Sequence, residues 1–124
     1  MKTAHSPLLQ SLISAYGPSG QEDEVKTLCE KEIKGLVDEL WTDAAGNLIG
    51  KIHGKNKSSP AVRLMAHMDE IAMIVKKIND DGSLRVNPLG GSYPGSFGQG
   101  LVDILGDHQV LSRVLSFGSM HIHK

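Results

Sequence analysis

A histidine and an aspartate two positions apart, His67 and Asp69, close an apolar run, Ala61-Val62-Arg63-Leu64-Met65-Ala66. This is a fragment of a metal site. In an extended strand alternate side chains share a face, so His67 and Asp69 project to one side while Met68 packs behind them. A hydrolytic zinc-type site takes three protein ligands and keeps a position open for water. One His-x-Asp is therefore an incomplete set, and its remaining ligands must come from elsewhere. Taken alone, a histidine beside an aspartate is more often hydrogen-bonded than metal-bound.

The elements that must position this pair can be read from periodicity. Ser6-Pro7 has the form of an N-cap followed by proline at the first helical position, and Leu8, Leu9, Leu12, Ile13 and Tyr16 fall on one face before Gly17-Pro18 stops the helix. Ser19-Gly20-Gln21-Glu22 has the form of a capping box. A second helix is predicted after it, with Val25, Leu28, Cys29, Ile33, Leu36 and Val37 on a packed face and charged residues between them. The period then changes. Val37 to Asp43 and Asn47 to His53 read as strands joined by the turn Asp43-Ala44-Ala45-Gly46-Asn47. Trp41 reads as core. After the polar loop from Gly54 to Pro60, the run Ala61 to Ala66 is apolar enough for an interior strand, which would put His67 at its carboxyl end, where open α/β sheets place their ligands. Ile71 to Ile78, the turn Asn79-Asp80-Asp81-Gly82 and Ser83 to Val86 predict a further hairpin. Leu101 to Leu105 and Val110 to Phe117 predict two more strands around Gly106-Asp107-His108-Gln109.

Composition excludes several functions and selects none. The chain has 124 residues, 13 basic and 14 acidic, for a net charge of -1, so it carries no basic footprint for nucleic acid and no polybasic membrane patch. No stretch approaches the ~18 apolar residues of a membrane span, and the N-terminus lacks the apolar core of a signal peptide. Cys29 is the only cysteine, which rules out an intrachain disulfide and reads as a buried structural thiol; a cytoplasmic location fits. Many of the 14 glycines lie between Gly82 and Gly106, which points to tight strand connections.

Several separated motifs, in order, resemble the M42 glutamyl aminopeptidase/endoglucanase-like metallopeptidases: Gly17-Pro18-Ser19-Gly20-Gln21-Glu22, Asp43-Ala44-Ala45-Gly46-Asn47-Leu48-Ile49, Ala66-His67-Met68-Asp69-Glu70-Ile71, and Asp81-Gly82-Ser83-Leu84 leading to Leu89-Gly90-Gly91. The resemblance implies the N-terminal part of a zinc-peptidase-like α/β sandwich over residues 1–72, followed by the start of a β-rich inserted assembly domain over 73–124. It implies His67 as ligand to one of two adjacent divalent metal ions (zinc, cobalt or manganese) and Asp69 as the supporting catalytic carboxylate. It also implies a peptide substrate, from which N-terminal residues are removed, and homo-oligomers built from dimers, commonly tetrahedral dodecamers. The family's other ligands and its general-base glutamate lie beyond the point where this sequence stops, so the chain is expected to be inactive alone. An assembly module or a nonfunctional remnant is the alternative.

Other candidates carry blander expectations. Glu70 reads as a solvated charge. Gly90-Gly91-Ser92-Tyr93-Pro94-Gly95 lacks the lysine-serine pair of a P-loop and reads as a turn. His121 and His123 read as tail residues, not as partners of His67. His5, His53 and His108 receive no role.

Overall fold

The computed structural model describes residues 6–91, 97–115 and 122–123. The chain divides into two compact units, Met1–Glu70 and Ile71–Lys124.

In the first unit, helix α1 spans Pro7–Ser14 with proline at its start, as the sequence predicts, though Ser6 makes no side-chain capping bond. Its apolar stripe remains largely open: Leu8, Leu9 and Ile13 are all exposed. Helix α2 spans Asp23–Ile33, with Asp23 and Glu24 in its first turn, where carboxylates complement the positive end of the helix, and Lys31 in its last. Gly35, at φ 98°, takes the left-handed conformation that ends helices. The predicted packed face is only partly realised. Val25 is buried, Leu28, Cys29 and Ile33 are half-buried, and Leu36 is exposed.

Strands β1 (Glu39–Thr42) and β2 (Leu48–Lys51) form the expected antiparallel hairpin, pairing Trp41 with Ile49. Its turn is built around one carboxylate. Asp43 Oδ1 accepts hydrogen bonds from the backbone N–H groups of Ala45 and Asn47, both at 2.9 Å, and Oδ2 accepts one from Asn47 Nδ2 at 2.9 Å. Gly46, at φ 90°, supplies the left-handed position that this loop requires. The side-chain hydrogen bond from Asn47, with backbone bonds behind it, holds the Asp43 carboxyl below its usual range. A carboxylate depressed in the folded state stabilises the turn above its unfolded value, and that contribution disappears as pH falls through the folded value. Protection of the Ala45 and Asn47 amides from hydrogen exchange is therefore expected to decline on acidification, and Asp43→Asn is expected to show weakened protection already at neutral pH.

Among the described residues of the second unit there are strands and no α-helix. β3 (Met73–Ile78) and β4 (Leu84–Pro88) form an antiparallel hairpin with an irregularity between Val75 and Lys77. Its turn is held by Asn79, Asp81 and Ser83, the last of these buried. β5 (Gly100–Leu105) and β6 (Val110–Leu115) pair in antiparallel register, and β7 (Ile122–His123) adds to β6 opposite Leu115 and Val114. The backbone at His123 is thus a paired strand, not the expected tail. His5, Ser92 to Gly95, Phe117 and His121 lie outside the described residues.

Two expectations fail in this fold for one reason. Residues 61–66 form no strand, and Val62, Leu64 and Met65 are 88%, 94% and 92% exposed. Trp41 is exposed and not core. An interior strand exists only where neighbours complete its hydrogen-bond ladder and cover its faces. No described residue runs alongside 61–66. Among the described hydrophobic residues only Ala15, Val25 and Val86 are buried.

Candidate functional site

The site gathers where the loop after α1 meets the segment that follows the apolar run. Residues 67–69 belong to no strand, yet the spacing of His67 and Asp69 brings their side chains together as expected. His67 Nδ1 lies 2.9 Å from the Asp69 carbonyl oxygen and 3.0 Å from Asp69 Oδ1. Both neighbours are acceptors at neutral pH, so Nδ1 carries the proton and donates. That leaves Nε2 without a proton in the neutral ring, on a side chain 85% exposed. A carboxylate that fixes the tautomer of an imidazole in this way is the usual support of a metal-ligating histidine.

Asp69 is held from its other side. The Ser19 hydroxyl donates to Asp69 Oδ2 at 2.5 Å across fifty residues of sequence. The hydrogen bond from Ser19, followed by that from His67, keeps the Asp69 carboxyl below its usual range against an opposing desolvation effect. Ser19 thus does not cap a helix. Its hydroxyl is spent on a charged acceptor, which makes the stronger bond, while Glu22 Oε1 accepts from Gly20 N–H at 2.7 Å and Glu22 stands as the residue before α2 without a side-chain cap. The capping-box reading is corrected accordingly.

Glu70 is exposed, as expected of a solvated charge, but it is also bonded. Its carboxylate accepts the Gly17 N–H at 2.9 Å, its own N–H donates to Gly17 O at 2.8 Å, and it forms a parallel bridge with Pro18. These bonds fasten the loop Gly17 to Gly20 alongside His67 to Glu70. Gly17 is buried there because a larger residue would not fit: a Cβ would stand 2.8 Å from Val25 Cγ2 and 3.1 Å from Met68 O. Sequence reasoning overlooked Ser19 and Glu70 as partners of the site. The signal lay in the presence of Gly17-Pro18-Ser19-Gly20 and His67-Met68-Asp69-Glu70 among the motifs that carry the family resemblance, two stretches that the fold places in contact.

Among the described residues no group of three His, Cys, Asp or Glu side chains is placed to hold a metal ion, and Asp69 is the only one of these residue types bonded to the His67 ring. His53 lies 3.0 Å from Glu39 on the β1–β2 hairpin and shares that carboxylate with Lys51. Among the described residues no helix is long and apolar enough to cross a membrane.

Residues 46–124 match the sequence profile of the M42 glutamyl aminopeptidase family. A lysyl aminopeptidase from Pyrococcus furiosus is 39% identical over 88 residues, covering 70% of this chain and 25% of that protein. Among solved structures, an aminopeptidase from the archaeon Desulfurococcus kamchatkensis aligns with a TM-score of 0.76 and 40% identity, over 86% of this chain and 30% of that one. A TET aminopeptidase from a marine sediment thaumarchaeon aligns with a TM-score of 0.74 and 29% identity, over the same shares. The chain spans about a quarter to a third of the length of these relatives, and it belongs to the M42 glutamyl aminopeptidase family, with the mixed α/β fold of part of such a peptidase.

Proposed function

We propose that this chain is the N-terminal part of a metal-dependent aminopeptidase that hydrolyses N-terminal residues from peptides. The observation that carries the reading is the His67–Asp69 pair, in which Asp69 holds Nδ1–H and leaves Nε2 for a metal. His67 would be a ligand to one of two divalent metal ions, of the kind that imidazole and carboxylate sets accept: zinc, cobalt or manganese. When bound, the metal pair supplies Lewis-acid polarisation of the scissile carbonyl and a nucleophile from water. Asp69 acts from within this chain. It fixes the ring's tautomer and direction, so that Nε2 carries the free lone pair. The further ligands belong to polypeptide corresponding to the rest of the relatives' length, and residues 1–124 have no appreciable activity alone.

The unit up to Glu70 is then the catalytic portion and the unit from Ile71 the beginning of an assembly domain. Support for the latter comes from the strands that make up its described regular elements and from its exposed apolar residues, among them Ile74, Val75, Ile78, Leu101 and Val110, which suit association of subunits into a dimer-based homo-oligomer. The free thiol of Cys29 agrees with a reducing cytoplasm. The near-neutral charge agrees with neither nucleic acid nor membrane as a partner.

The test joins residues 1–124 to the complementary C-terminal part of the Pyrococcus furiosus relative and assays release of N-terminal amino acids with zinc, cobalt or manganese added. The expected result is metal-dependent turnover in the joined protein, none in residues 1–124 alone, and a loss of about 10³-fold or more in joined His67→Ala. Turnover by residues 1–124 alone would sink the reading of an incomplete site. Metal-dependent turnover that survives His67→Ala would remove the ligand role. The assembly alternative is favoured instead if light scattering shows a defined oligomer of residues 1–124 while the joined protein has no activity.

A further inference from the structure

We propose that Ser19 and Glu70 are positioning residues for His67: Glu70 fastens the Gly17 to Gly20 loop, and the loop presents the Ser19 hydroxyl to the far oxygen of Asp69, which aims the imidazole. The inference rests on His67 being the metal ligand. Each link is a specific bond. Glu70 Oε1 accepts Gly17 N–H at 2.9 Å and Glu70 N–H donates to Gly17 O at 2.8 Å, so the loop is tied at both backbone polar groups of one residue. Two residues further on, Ser19 Oγ reaches Asp69 Oδ2 at 2.5 Å. The other oxygen, Oδ1, receives His67 Nδ1 at 3.0 Å.

The geometry explains why a hydroxyl is needed at Ser19. A carboxylate with one oxygen engaged by the imidazole is free to rotate about its Cβ–Cγ bond, and it can turn Oδ1 away from the ring. A donor fixed on Oδ2 removes that freedom. Side chains of Asp69 and His67 lie at the surface, 41% and 85% exposed, so hydrogen bonds and not packing hold the ring: Nδ1 meets the Asp69 carbonyl at 2.9 Å and Asp69 Oδ1 at 3.0 Å, and the Ser19 bond secures the second of these acceptors. The loop in turn needs an anchor. Glu70 supplies it from the position next to Asp69, which couples the two ends of the chain within one short segment.

The ring tautomer of His67 reports the chain directly. In 15N-labelled residues 1–124, at a pH where the ring is neutral, long-range proton–nitrogen spectra give the ratio of Nδ1–H to Nε2–H forms. The native protein is expected to favour Nδ1–H. Ser19→Ala is expected to lower the ratio about threefold to tenfold, the effect of losing one hydrogen bond. Ser19→Thr, which keeps the hydroxyl, should restore it. Glu70→Ala should lower the ratio as Ser19→Ala does, Glu70→Gln should preserve it because the amide oxygen still accepts Gly17 N–H, and the Ser19→Ala/Glu70→Ala double variant should fall little below either alone. Backbone shifts of α2 verify folding of each variant. A ratio unchanged in both alanine variants, or a native ring that favours Nε2–H, overturns the proposal; if Ser19→Ala fails to fold, the contrast between Glu70→Ala and Glu70→Gln decides. The measurement is made without metal, so a failure of the ligand role would show in the joined protein's activity and not here.

Discussion

Gly17→Ala is expected to unseat the loop before α2 from the His67–Glu70 segment, at a cost of about 1–3 kcal/mol, the range for forcing volume into a filled space. The cost is steric and not conformational, since Gly17 has no positive φ and alanine could adopt its backbone angles. A new Cβ would meet Val25 Cγ2 at 2.8 Å and Met68 O at 3.1 Å. Neither neighbour yields easily. The first is a branched side chain stiff at χ1 and among the few buried hydrophobic residues, and the second is backbone. The change should appear as lost hydrogen-exchange protection at the Glu70 amide, which donates to Gly17 O, and as a lower urea midpoint followed through Trp41, the only tryptophan. Val25→Ala removes the closer obstacle, so the double variant should be less destabilised than the sum of the single ones. Strict additivity, or a silent Gly17→Ala, would show that the loop is not clamped as described.

The hairpins were legible because their determinants are local. Asp43, Gly46 and Asn47 dictate one turn, Asn79, Asp81 and Gly82 the other, and the strands on either side need only each other. The His67–Asp69 contact was legible for the same reason, since two residues separate the partners. Ser19 was misread for the opposite one. A Ser-x-x-Glu pattern announces a local cap, but the hydroxyl found a carboxylate fifty residues away, and no pattern within six residues can announce that. Glu70 looked like an ordinary surface charge until the loop before α2 was placed beside it. Trp41 and the run from Ala61 to Ala66 expose the limit of apolar composition as a guide. It says which residues seek a core, and the neighbours decide whether they reach one.

The backbone amides of residues 61–66 are expected to exchange at close to free-peptide rates in this chain, and thermolysin is expected to cut before Leu64 or Met65 ahead of any site within β1 to β6. These residues carry hydrophobic side chains that are 88% to 94% exposed at Val62, Leu64 and Met65, with no ladder partner among the described residues. A decisive substitution is Leu64→Asp. In residues 1–124 it leaves one exposed side chain for another and should change stability by no more than about 0.5 kcal/mol. In the protein joined to its relative's C-terminal part, the same run would be an interior strand, and a carboxylate there should cost about 3 kcal/mol or more and abolish activity. The contrast separates two accounts of the sequence. If Leu64→Asp is harmless in both proteins, the run is a loop in its own right, and the strand reading is wrong. If it is damaging only in the joined protein, the apolar run is a strand that takes shape when the rest of the sheet is supplied, and the arrival of those neighbours is what completes the site around His67.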